Sequence, residues 1–150
     1  MSSIPPTLKY VEGFTVMGLS TKTQNTDEFN EKTAKLPNLW QQFYSSDLAA
    51  NTNIFEVYSD YESDANGLYT VTVGISDDSE HAEFGSVKIQ TGNYLVFHGT
   101  GPMPSTVVET WKQIWDYFEE KSNYQRSFIS DFEAYNGSDK VAIYIGINEV

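Results

Sequence analysis

Apolar and polar residues alternate loosely from residue 8 to 23, with Gly13 and Gly18 interrupting the period as glycines do at a bend or bulge in a strand. After Asp27, a residue type that caps helices, the period lengthens. Leu39, Trp40 and Phe43 recur at helical spacing within a segment running to about Leu48, and Pro37 must start or kink its last turns because it has no amide proton. Residues 54–58 and 68–75 are β-branched and aromatic, and the polar stretch Glu62 to Gly67 between them reads as a hairpin loop. The first half therefore predicts β-α-β-β. The second half predicts the same order: a strand over 86–99, a helix capped by Ser105 and running to about Lys121, and strands over 128–135 and 141–147 joined at Asn136-Gly137. That helix carries Val107, Val108, Trp111, Ile114, Trp115 and Phe118 as one apolar stripe.

Local sequences repeat along with the order. Phe55-Glu56-Val57-Tyr58 answers Phe132-Glu133-Ala134-Tyr135, residues 69–75 answer 141–147, Leu39-Trp40-x-x-Phe43 answers Ile114-Trp115-x-x-Phe118, and Gly13-Phe14 answers Gly92-Asn93. The expected fold is one α+β domain made of duplicated β-α-β-β units, repeat one over about 8–77 and repeat two over about 84–150. One such unit cannot bury both its sheet face and its helix stripe. Two would pack about a pseudo-twofold axis, leaving a central cleft, and clefts between structural units are common ligand sites.

Length and charge narrow the function. The 150 residues suit a single domain and include no cysteine, so disulfides, thiol nucleophiles and thiolate metal sites are excluded. A formal net charge of −12, with no Lys or Arg between Lys35 and Lys88, repels phosphate backbones and argues against direct nucleic-acid binding. The acidic stretch reads as a solvated face, or as an attraction for cations. The first twenty residues show no basic start with an apolar run, and no stretch of about 18 apolar residues occurs, so neither export nor a membrane span is expected and a cytoplasmic location is. His81 and His98 are too few and too scattered for a metal site; Gly99-Thr100-Gly101-Pro102 lacks the amides and the lysine of a phosphate loop; no nucleophile-elbow signature organises the serines. No metal and no cofactor is expected.

Glu133 is the candidate with chemistry to explain. In a strand its side chain points away from Phe132 and Ala134, toward the face shared by Asp131 and Tyr135. If that face is buried, the carboxylate needs a partner: Arg126, Lys140, a backbone amide, or a cation supplied by a ligand. Aromatic residues make up 15% of the chain, more than packing a domain of this size calls for, and rings facing a cleft attract delocalised cations through their π faces.

Leu39-Trp40-x-x-Phe43, Val57-Tyr58 before an acidic hairpin, Gly67-x-Tyr69-x-x-x-Val73-Gly74, Gly92-x-Tyr94, Trp111-x-x-x-Trp115 and Asp131-Phe132-Glu133-x-Tyr135 together resemble the GyrI-like domain, the effector-binding domain of multidrug-sensing transcription activators. The resemblance spans nearly the whole chain. Within that family it is nearest to the stand-alone cationic-drug-binding proteins of integron gene cassettes. It implies an aromatic pocket for lipophilic cations, with a buried Glu from the penultimate strand as counter-charge. By motif position that residue is Glu133, and the ring residues are Trp40, Tyr58, Tyr69, Trp111 and Trp115. The activators also carry a helix-turn-helix part, for which this chain has no room, so an output would need a separate regulatory protein partner. Two other functions follow from the same family. Some stand-alone members hydrolyse electrophilic cyclopropane-containing compounds, which would make Glu133 and Tyr69 catalytic. The family name derives from a gyrase inhibitor, which would make the acidic surface a protein-interaction face.

Overall fold

Both of the long initial strands, 8–23 and 86–99, are broken in two. The computed structural model describes residues 6–28, 32–46, 54–62, 67–76, 85–103, 105–119, 124–136 and 139–148. Its elements are β1 (Thr7–Val11), β2 (Thr15–Thr23), α1 (Asn25–Glu28), α2 (Leu36–Tyr44), β3 (Ile54–Ser59), β4 (Tyr69–Ser76), β5 (Gly85–Lys88), β6 (Gly92–Thr100), α3 (Ser105–Glu119), β7 (Arg126–Tyr135) and β8 (Lys140–Ile147). The eight strands form one antiparallel sheet in the order β1-β6-β8-β7-β3-β4-β2-β5. Each half is therefore β-β-α-β-β, and the extra first strand of each crosses to the other half: β1 pairs with β6, and β5 with β2. The two crossing connections touch, since the Ile89 amide donates to the Phe14 carbonyl and the Gly13 amide to Thr91 Oγ1. Gly13 is needed there: a Cβ would stand 2.5 Å from the Ile89 carbonyl oxygen. Gly18 and Gly74 face each other in the β2–β4 ladder, and a Cβ on either would come within 2.0 Å of a backbone oxygen of the opposite strand.

The sheet is covered differently on its two faces. On one, α2 buries Leu39 and Phe43 over Met17, Val71 and Val73, while α3 buries Ile114 over Leu95, Phe97, Ile143 and Ile145. On the other, Phe132 centres a smaller cluster with Val16, Val57, Ile89 and Tyr94. Its ring stacks on Tyr144 at 4.4 Å and meets Phe14 edge-on at 5.5 Å. The predicted helix beyond Asp27 is interrupted, as Pro37 required. Glu28 ends the one-turn α1, and its carboxylate accepts the Lys35 and Leu36 amides, so the cap of α2 comes from a side chain seven or eight residues upstream. Ser105 is the first residue of α3 and donates to the Pro102 carbonyl, so it does not take an amide as a cap would. The predicted ends at Leu48 and Lys121, the loop centre at 63–66 and the turn at Gly137 lie outside the described residues, as does His81.

Candidate functional site

The central ladder pairs β3 with β7 and sets Glu56 directly opposite Glu133. Because side chains alternate along a strand, both carboxylates point to the helix-covered face while Val57 and Phe132 point to the other. The helices stand apart over this midline, α2 over one half of the sheet and α3 over the other. The gap is a cavity of about 740 Å³, with the two carboxylates in its floor. That is room for a drug-sized ligand.

All six residues singled out from the sequence line this cavity: Glu133, Trp40, Tyr58, Tyr69, Trp111 and Trp115. Glu133 is 1% exposed, and among the described residues its hydrogen bonds run to none of Arg126, Lys140 or a backbone amide. Its Oε2 accepts from the Tyr58 hydroxyl at 2.6 Å and from Trp111 Nε1 at 2.6 Å, and its Oε1 accepts from the Tyr135 hydroxyl. Among the described residues these donors are all neutral, and the Glu56 carboxyl is the other group in hydrogen-bonding contact with it. Glu56 is 4% exposed and accepts from Trp40 Nε1 at 3.0 Å and from the Tyr58 hydroxyl at 2.9 Å. Each half of the fold presents its own helix tryptophan to its own strand carboxylate. The structural counterpart of Trp40 is therefore Trp111, one helical turn before the Trp115 that the sequence match had paired with it. Trp115 extends the aromatic wall, its ring 6.1 Å from that of Trp111.

Tyr69 contributes its ring, 5.6 Å from that of Tyr58, but its hydroxyl donates to Asn25 Oδ1 at 2.6 Å instead of approaching Glu133. The tyrosine hydroxyls that donate to Glu133 are those of Tyr58 and Tyr135. Burial, reinforced by the charge of Glu133, holds the Tyr58 and Tyr135 hydroxyls well above the usual phenol range; for Tyr69, burial and then Glu28 do the same. These phenols stay protonated and act as donors. Burial, followed by the charge of Glu133, raises the Glu56 carboxyl well above the usual carboxylate range.

Arg126 also lines the cavity, but its charge is already matched. A bulge between Arg126 and Asp131, with Phe128 in the left-handed region at φ 53°, folds the strand back so that Arg126 Nη2 reaches Asp131 Oδ2 at 2.7 Å. The guanidinium lies 4.4 Å over the Phe128 ring. Asp131 is completely buried and also accepts from the Gly146 amide and the Tyr61 hydroxyl. Sequence reasoning missed Glu56, Tyr135 and this pair as parts of the site. For Glu56 a signal was present: Phe55-Glu56-Val57-Tyr58 repeats the motif around Glu133, so a role for one carboxylate implied the other. Among the described residues no group of side chains is arranged to hold a metal ion, and no helix is long and apolar enough to cross a membrane.

Comparison with known proteins shows the family and the fold. The family described as "Integron-associated effector binding protein" matches residues 7–147. A putative transcriptional regulator protein of Bacillus subtilis (strain 168), YobU, is 32% identical, over 88% of this chain and 91% of its own. The crystal structure of the integron cassette protein VCH_CASS2, from the mobile metagenome of Vibrio cholerae, is 33% identical and covers 96% of both chains with a TM-score of 0.88. SAV2435, whose structure was determined bound to tetraphenylphosphonium, shares the fold at a TM-score of 0.77 over 97% of this chain and 94% of its own, with 15% identity.

Proposed function

The chain belongs to the family of integron-associated effector binding proteins, and we propose that the effector it takes up is a lipophilic organic cation, held by aromatic rings over the Glu133 carboxylate. The observation that carries this reading is the environment of Glu133: a carboxylate 1% exposed, whose hydrogen-bond donors among the described residues are neutral, facing an aromatic cavity. Three donors make such an ion tolerable but leave its charge uncompensated. A cation entering the cavity supplies the missing charge, while its hydrocarbon surface displaces water from the rings. Each ring face adds about 0.5–2 kcal/mol depending on desolvation. A few such contacts together with the carboxylate reach micromolar affinity, roughly −8 kcal/mol. The bound phosphonium of SAV2435 supports the same reading by analogy of fold.

Fluorescence tests it directly, because the three tryptophans of the chain all line the cavity. Titration with tetraphenylphosphonium is expected to quench their emission saturably. Triphenylphosphine oxide, neutral and similarly shaped, is expected to bind at least tenfold more weakly. Equal affinity for the two would remove charge from the recognition and leave a merely apolar pocket.

A further inference from the structure

We propose that Glu56 and Glu133 share one proton while the cavity is empty, and that the site thereby sorts ligands by charge number: a monocation leaves the proton on Glu56, whereas a dication expels it. This deepens the cation-binding reading and rests on it. Tyr58 is the starting point. Its single hydroxyl proton stands within hydrogen-bonding distance of two carboxylates, 2.9 Å from Glu56 Oε2 and 2.6 Å from Glu133 Oε2. One proton serves only one of them. If both acids were ionised, the other contact would set oxygen lone pairs against each other in a dry site. A proton on one carboxyl, donated to the Tyr58 oxygen, turns both contacts into hydrogen bonds.

The geometry also decides which acid holds it. Glu133 has Tyr58, Trp111 and Tyr135 as donors at short range, whereas Glu56 has Trp40 at 3.0 Å and the longer contact to Tyr58, and the two carboxyls are themselves in hydrogen-bonding contact. Glu133 is therefore the better-stabilised anion and Glu56 the acid. The upward push on Glu56 from burial and from the charge of Glu133 agrees. Among the described residues the other charged groups of the cavity wall are held by partners of their own. From β7, Arg126 is matched by Asp131. From α1, Glu28 is turned to the amides at the start of α2 and to Thr23. The remaining titratable groups of the cavity wall are phenols: Tyr58 and Tyr135 on the floor strands, Tyr69 on β4, Tyr44 on α2, and Tyr61 beyond β3.

Charge selection follows from the cost of leaving net charge buried. A monocation over Glu133 completes a neutral site, so Glu56 gains nothing by ionising. A second positive charge is uncompensated until Glu56 gives up its proton to solvent. The binding of a dication should therefore release one proton. The sign is fixed: below the titration of Glu56, dication affinity rises about tenfold per pH unit, while monocation affinity stays flat over the same range.

The test uses two rod-shaped probes whose charges are permanent, N-methyl-4-phenylpyridinium and N,N′-dimethyl-4,4′-bipyridinium. Isothermal titration calorimetry of the whole chain, in buffers of differing ionisation enthalpy from about pH 6 to pH 8, counts the protons released. The expected result is about one proton per dication and about none per monocation, with Glu56→Gln abolishing the release. Equal proton release by both probes, or dication binding without release, overturns the charge-sorting inference and leaves cation binding standing. Failure of both probes, and of tetraphenylphosphonium, to bind overturns the cation reading itself and this inference with it.

Discussion

Asp131→Ala is expected to lower the free energy of unfolding by about 3–5 kcal/mol, the usual cost of breaking a buried ion pair by removing one partner. Asp131 has no exposed surface and the Arg126 side chain only 8%, so the guanidinium would be left without its counter-ion where water reaches it poorly. The Gly146 amide and the Tyr61 hydroxyl would lose their acceptor as well. Urea unfolding should show the midpoint falling with the slope unchanged. The double variant Arg126→Met/Asp131→Leu should recover the part due to the unpaired guanidinium but not the part due to the Gly146 amide and Tyr61 hydroxyl, which still lack an acceptor. A loss below about 1 kcal/mol for Asp131→Ala would mean that the guanidinium turns into the cavity and is solvated there. That outcome would also bear on function, because a free cation facing Glu133 would compete with the ligand.

This pair shows why the site was only partly legible in the sequence. Alternation along residues 128–135 was enough to place Glu133, Asp131 and Tyr135 on one face, because a strand's period is local. It did not show that Arg126 returns to Asp131. That contact depends on a bulge at Phe128, a bulky residue in a backbone region it rarely visits, for which the local sequence carries no signal. The fold divides in the same way. The stripe on α3 and the β-branched runs of β3, β4 and β8 are local patterns and stand where they were expected. The exchange of β1 and β5 between the halves is a pairing across the whole chain, set by the crossing of two backbones at Gly13 and Ile89. The mispaired tryptophans have another cause. Leu39-Trp40 and Ile114-Trp115 match as letters, but the carboxylates lie opposite Trp40 and Trp111, so the hydrogen bonds decide equivalence where the letters do not.

Glu133→Gln is expected to weaken the binding of tetraphenylphosphonium at least thirtyfold while leaving the fold intact. The amide has nearly the shape of the carboxylate and can still accept from one of the donors now on Glu133. What disappears is the charge, and removing one member of a desolvated charge pair costs 2 kcal/mol or more, about a factor of thirty at the low end. Affinity for triphenylphosphine oxide should hardly change, because rings and volume are untouched. The neutral ligand therefore separates loss of counter-charge from damage to the cavity. A parallel loss for both ligands would mean that the new amide had disturbed Tyr58, Trp111 and Tyr135 and closed the pocket. Unchanged affinity for the cation would leave Glu56 as the counter-charge, with the proton on Glu133. The proton count on dication binding would then vanish in Glu133→Gln and not in Glu56→Gln, so the two substitutions assign the charge to one side of the ladder or the other.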